Sequence, residues 1–341
     1  LPYKRNAMSC DGERKCPHML LLDIAKPSHC IHRCVFCYAS EYPESWNGST
    51  PLLVYGNIVK RLKSELKKLK ICPPFYISPA SDPFQPVKEV LIRSLEVTEL
   101  LLKHGLSFHH VTKSPLVRRC LDIDGLTEYP YYHLQVSLET VNSDKARTLS
   151  NAPPPRERMN ILEEFSKEGV YTILRLDPVI YGFTSDLDEI NELIEWASSI
   201  GVKHVISSTG RFKQRTLLKI VERLEENGYG EEAKTVYSTY VREVSDYYRV
   251  PLKLRIKFHR TLKEMVEKRG MYYSVCQELN WSRGLDSANL PNCEGERNWI
   301  MIRVDNEWRP LCNKSCTLCT NPACNLPQLL DQPLKPSKLR M

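Results

Sequence analysis

The chain has 341 residues, 42% of them hydrophobic and 26% charged, with a formal net charge of +7. That ordinary globular balance excludes a disordered or fibrous chain, and the mild basicity permits a polyanionic partner without demanding one. No apolar run approaches the length of a membrane span, and Leu1-Pro2-Tyr3-Lys4-Arg5 has no apolar segment behind its charges, so neither a membrane anchor nor a secretory signal is expected.

Residues 1–17 are polar and irregular and carry Cys10 and Cys16, which fit no pattern. Met19 to Ile24 reads as a buried strand that leads into a cysteine-rich loop. Leu53 to Leu69 places Val54, Ile58, Leu62, Leu66 and Leu69 at helical spacing with lysines between them, an amphipathic helix. The order then repeats: strand at Phe75–Ser78, helix at Val87–Lys103, strand at Phe108–Thr112, a short proline-started helix at Pro115–Asp122. Strands follow at 131–138, 170–176 and 203–208, with helices at 155–168 and 187–200 closed by Gly169 and Gly201. Two more helices are expected near 212–227 and 231–248. Leu252 to Phe258 alternates apolar and basic residues and predicts a further, half-exposed strand. A helix at Arg260–Arg269 and a short strand at Met271–Val275 precede a segment rich in cysteine, proline and asparagine.

Six strands alternating with helices predict an α/β fold with a parallel sheet of right-handed crossovers, fewer units than the eight of a complete barrel. The expected division is an irregular segment at 1–17, the α/β unit at 18–250, a small cysteine-rich domain at 251–330 and a mobile tail at 331–341. Ligands of such sheets sit at the carboxyl ends of the strands, where the cysteine loop lies.

The cysteines carry the chemistry. Of thirteen, three form the triplet Cys30, Cys34 and Cys37, spaced C-x3-C-x2-C, and six lie at Cys276, Cys293, Cys312, Cys316, Cys319 and Cys324. Clusters of this kind in a long chain point to metal binding in a reducing, cytoplasmic compartment rather than to disulfides. The triplet suits a four-iron cluster with one open iron, or a zinc site that finds a fourth ligand, for which His32 is the rival. The later set repeats the spacing with four or more thiolates available and suits a second, closed [4Fe-4S] cluster or a zinc site.

With Phe36 just before its last cysteine, the triplet resembles that of the radical S-adenosylmethionine (SAM) superfamily. The match widens to the spore-photoproduct-lyase-like branch through Cys30–Ala39, Ser81-Asp82-Pro83-Phe84-Gln85-Pro86, Thr112-Lys113-Ser114 and Ser137, over residues 20 to 210. The resemblance implies a partial (βα)6 TIM-like barrel. It implies a [4Fe-4S] cluster on Cys30, Cys34 and Cys37, with SAM on the fourth iron, and a reductant such as ferredoxin or flavodoxin. Reductive cleavage of SAM would give a 5′-deoxyadenosyl radical that takes hydrogen from a substrate. By the same resemblance Phe36 packs near the adenine, Ser81 and Asp82 face the methionine part, Lys113 meets its carboxylate and Ser137 its ribose or carboxylate. Arg175 and Asp177, two apart on a strand, share a face toward the cavity, with Arg175 a further cofactor contact. An auxiliary cluster near the barrel mouth is also implied. The bland alternatives are a turn at Ser81-Asp82, a solvated Lys113 and a structural Arg175–Asp177 pair. In the namesake lyase a cysteine beside the Ser-Asp pair returns hydrogen to the product radical. Pro79 stands there here, so thymine-dimer repair is not expected, and the substrate class stays open between nucleic acid and polypeptide. The alternative reading is a zinc-containing nucleic-acid-binding module without redox chemistry.

Overall fold

A computed structural model describes residues 20–42, 45–243, 246–276, 278, 290 and 298–312. Its first half runs β1 (Leu20–Leu22), α1 (Ile58–Leu66), β2 (Ile71–Cys72), β3 (Phe75–Ile77), α2 (Lys88–Lys103), β4 (Phe108–Thr112), β5 (Tyr132–Ser137), α3 (Ser143–Leu149), α4 (Pro155–Lys167) and β6 (Thr172–Leu176). The second runs α5 (Leu187–Ser199), β7 (His204–Ser207), β8 (Phe212–Lys213), α6 (Gln214–Glu226), α7 (Gly230–Thr239), β9 (Val241–Arg242), β10 (Tyr247–Arg249), α8 (Leu252–Glu267), β11 (Tyr272–Val275), β12 (Ile300–Val304) and β13 (Glu307–Cys312). A 3-10 helix at Pro115–Asp122 fills the crossover after β4.

β1, β3, β4, β5, β6, β7 and β11 form one seven-stranded sheet in that order, each pair parallel. The helices pack outside it because their apolar residues recur every three or four positions. α1 turns Ile58, Leu62 and Leu66 to the core, and α4 buries Ile161, Leu162 and Phe165. The Asp186 side chain caps α5 by accepting from the backbone N–H groups of Asp188 and Glu189. The expected partial TIM-like barrel is what the chain forms.

Two readings change. The strand expected at Leu252–Phe258 is the start of α8: its buried residues Arg255, Phe258, His259, Leu262 and Val266 keep helical spacing, and the alternation of Leu252, Leu254, Ile256 and Phe258 spans only its first turns. The sheet also has a seventh strand. Tyr272 to Val275 pairs with His204 to Ser207, so the barrel sheet continues past residue 250.

The amino-terminal end of the barrel is covered by the β12–β13 hairpin. Met301 pairs with Cys72 on β2, and Ile300 with Cys312. The Trp299 N–H donates to Ser107 Oγ, 3.1 Å away at the foot of β4. At the opposite end, α6, α7 and the small β8-β10-β9 sheet follow β7. Their apolar residues, among them Phe212, Leu217 and Val236, join Phe36 in a second core cluster. Among the described residues no helix is long and apolar enough to cross a membrane.

Candidate cofactor and metal site

The cysteine loop leaves β1 at the carboxyl end of the sheet and is pinned along its length. Gln85 holds it from both sides: Oε1 accepts from the Ile31 N–H at 2.8 Å, and Nε2 donates to the His29 carbonyl at 3.0 Å. Backbone bonds tie Ser28 to Ala80, Val35 to Leu149 and Asn151 to His32. Tyr38 Oη donates to the Pro79 carbonyl at 2.7 Å. Arg33 takes φ +44°, a left-handed turn that a non-glycine residue adopts at a cost. The loop therefore spends local strain to turn three cysteines within eight residues.

Cys30, Cys34 and Cys37 are free thiols. Burial pushes all three above the usual thiol range, Cys34 to about 12 even with Lys113 nearby drawing it down. Bare, they stay protonated, so a metal must displace protons to bind them. Among the described residues no three His, Cys, Asp or Glu side chains converge on a single metal ion, whereas a four-iron cluster gives each thiolate its own iron. His32 is drawn toward Asp82, although neither of its ring nitrogens makes a hydrogen bond among the described residues. Its Nε2 lies 3.0 Å from Asp82 Oδ2, and both side chains are buried. Three close sulfur donors are a donor set that suits a cluster with one open iron.

Asp82 is a hub of this brace. Oδ1 accepts from the Phe84 N–H at 2.8 Å, Oδ2 from the Lys113 N–H at 2.8 Å, and Thr112 Oγ1 donates to both oxygens. Burial opposes its ionisation, but His32 and these donors outweigh it and hold the carboxyl below its ordinary value. The expectation that Asp82 faces the cofactor meets a carboxylate already engaged by protein. Ser81, its neighbour, differs: its Oγ is buried and has no protein partner, the state of a hydroxyl that a bound polar group would satisfy.

Lys113 extends from the end of β4 with its Nζ 5.7 Å from the centre of the Phe36 ring. The same ammonium donates to Glu139. Glu139 is also gripped by Arg158, whose Nη1 lies 2.7 Å away and donates in addition to the Ser137 carbonyl. Burial disfavours the Glu139 carboxylate, but Lys113 and Arg158 hold its pKa down to about 2. Glu139 and Arg158 did not emerge from the sequence reading. Glu139 lies two residues after Ser137 at a strand end, and that same-face spacing was a usable signal.

Arg175 on β6 and Asp177, just past its end, pair at 2.5 Å. The guanidinium also donates to Gln135 Oε1 at 2.8 Å and lies 3.2 Å from Cys276 Sγ. Cys276 is buried with Ile173 and Ile206, just beyond the carboxyl end of β11. Cys312, by contrast, ends β13 opposite Ile300 at the amino-terminal end of the barrel. These two members of the later cysteine set thus lie at opposite ends of the strands. Cys293, Cys316, Cys319 and Cys324, with Cys10 and Cys16, lie outside the described residues.

The comparisons with known proteins now bear on this geometry. No family model matches the chain. A curated relative from Pseudomonas phage M6, named "Radical SAM Nalpha-GlyT isomerase", is 23% identical over 315 residues, 89% of this chain and 65% of its own length. The chain thus spans just under two thirds of that relative. A variant of spore photoproduct lyase superposes with a TM-score of 0.55 at 14% identity, covering 80% of this chain and 78% of the lyase. The lyase in complex with dinucleoside spore photoproduct gives 0.53 at 15% identity, over 80% and 78% of the two chains. The chain resembles the spore-photoproduct-lyase-like branch of the radical SAM superfamily. The fold expected from that resemblance is the fold found.

Proposed function

We propose that this protein is a radical SAM enzyme whose Cys30, Cys34 and Cys37 hold a [4Fe-4S] cluster and whose substrate is a nucleic acid. The observation that carries the reading is the braced triplet itself: three free thiols at the carboxyl end of β1, fixed by Gln85 and by the His32–Asp82 contact. When bound, the cluster supplies one electron to the sulfonium of SAM, which releases a 5′-deoxyadenosyl radical.

The chain's own residues then have defined tasks. Phe36 offers an apolar wall for the adenine. Ser81 Oγ, buried without a partner, donates to the methionine part. Lys113 neutralises the carboxylate while Glu139 and Arg158 hold its ammonium in place. Ser137 and Arg175, at the ends of β5 and β6, complete the rim. Asp82 acts through the loop it positions rather than on the cofactor. A reductant such as ferredoxin or flavodoxin supplies the electron. Cys276 is buried beside Arg175, and any auxiliary cluster or zinc site of the C-terminal segment is built from the later cysteines.

The substrate class rests on the lyase complex and the reaction type on the phage relative. The lyase complex carries a dinucleoside, which favours nucleic acid over polypeptide. The phage relative is an isomerase, a reaction that returns its product without net oxidation. The test uses reconstituted protein, SAM, a reductant and uniformly deuterated DNA or RNA, with mass spectrometry of 5′-deoxyadenosine. Deuterium carried into 5′-deoxyadenosine supports the reading. Label transferred from a deuterated polypeptide and never from nucleic acid overturns it.

A further inference from the structure

We propose that the groove between α1 and α2 is a track for the phosphate backbone of the nucleic acid whose base is presented at the barrel mouth. The inference rests on the nucleic-acid reading above and adds the surface that holds the strand. The groove encloses about 510 Å³ and is lined by Gly56, Asn57, Lys60, Lys63, Lys67 and Arg93, with Glu96 as its acid.

Three features support that placement. First, its lysines are unspent. Lys68, Lys167, Lys234 and Lys263 pair with Glu65, Glu163, Glu231 and Glu267. Lys60, Lys63 and Lys67 have no such partner among the described residues, and Glu96 is taken by Arg93. Second, the positive field continues toward the foot of α2. His104 is pushed below its ordinary value by burial and then by Arg303, Lys103 and Lys63. Third, the groove starts in the right place. Gly56 and Asn57 precede α1 at the carboxyl end of the sheet, where Tyr55 bonds back to Ile24 and Lys26 to Leu53 around the cysteine loop. From Lys60 to Lys67 the helix covers about 10 Å, room for several backbone phosphates.

Charge complementarity commits the groove to a polyanion, and position commits it to the strand that feeds the mouth. The second basic groove, lined by Lys253, Lys257 and Arg260 on α8, is smaller at about 380 Å³ and shares its walls with Glu264. It serves as the control.

The experiment measures binding of a fluorescent single-stranded oligonucleotide to the reconstituted full chain across a salt series. It compares wild type, the Lys60→Gln/Lys63→Gln/Lys67→Gln variant and a Lys253→Gln/Lys257→Gln variant. The α1 variant is expected to bind about tenfold or more weakly at low salt, with the slope of log K against log salt reduced by about 2. The α8 variant is expected to bind as wild type does. An α1 variant with wild-type affinity and slope overturns the proposal, as does a loss confined to the α8 variant, or a wild type that binds acidic polypeptide and no oligonucleotide. Formation of 5′-deoxyadenosine without substrate, measured on the same preparations, stays at the wild-type level in all three. That readout separates failure of the track from failure of the radical site.

Discussion

Arg158 Nη1 sits 2.7 Å from Glu139 Oε2, and neither side chain reaches solvent. A charged pair this deep is costly to desolvate and is tolerated when its hydrogen bonds are met. Here most are met, by Lys113, by the Ser137 carbonyl and by the Pro153 carbonyl, which accepts from Arg158 Nε at 2.9 Å, while Arg158 Nη2 is buried without a hydrogen-bond partner among the described residues. The pair holds the Lys113 ammonium from the side of Glu139, and that ammonium in turn stands over Phe36. Removing Arg158 leaves Glu139 with one cation in a dry site. Arg158→Leu is expected to cost about 3–5 kcal/mol of stability, read as a lowered midpoint in urea. An unchanged midpoint contradicts the burial argument.

Lys113→Ala separates cofactor binding from cluster assembly. Iron and sulfide per chain are expected to stay at the wild-type level, while the affinity for SAM, followed by equilibrium dialysis, falls tenfold or more, as for a lost charge-assisted contact worth about 1.5–3 kcal/mol. A variant that loses its iron instead makes Lys113 part of the loop's support.

Acid stability follows from the two buried carboxylates. Both have folded pKa values below their unfolded ones, Glu139 at about 2 against 4.5 and Asp82 below its ordinary 3.8. Their contribution is complete above pH 4.5 and is lost as pH falls toward 2, because the unfolded state then takes up protons that the folded state resists. For Glu139 the shift corresponds to roughly 3 kcal/mol. Glu139→Gln is expected to flatten the pH dependence of stability between pH 5 and pH 2, at about the ranges set by these values. A variant whose stability falls as steeply as that of wild type refutes the assignment.

Asp82→Asn tests the brace. The amide keeps the size of the carboxylate but loses its charge against His32 and one of its acceptors for the Thr112 and Lys113 donors. The reconstituted cluster is expected to be lost faster in air or chelator, with a several-fold shorter half-life of the visible absorption. Equal lifetimes mean that Asp82 does not position the loop.

Most of the architecture was legible in the sequence because it is written in local periodicity. Phe108–Thr112 and Pro115–Asp122 fall where the pattern put them. The misreading at Leu252–Phe258 came from an alternation that happens to fit two turns of α8. The seventh strand, β11, was seen as a strand, but its parallel pairing with β7 is a tertiary fact that no local pattern carries. At the site, the motif residues at strand ends were legible. Their partners were not, since whether Asp82 meets the cofactor or His32 depends on a 3.0 Å contact across fifty residues of chain. Arg158 was hidden for the same reason: within α4 it occupies an apolar face position and reads as a surface arginine until its burial is seen.

The central claim is that Cys30, Cys34 and Cys37 hold the cluster that cleaves SAM. The most direct measurement is iron, sulfide and 5′-deoxyadenosine formation with SAM and dithionite, on anaerobically reconstituted wild type, the Cys30→Ala/Cys34→Ala/Cys37→Ala variant and Cys276→Ala. The account predicts that the triple variant loses about four irons per chain and all 5′-deoxyadenosine, while Cys276→Ala keeps the irons of the triplet cluster and forms 5′-deoxyadenosine. A triple variant that still binds those irons and still forms 5′-deoxyadenosine contradicts it.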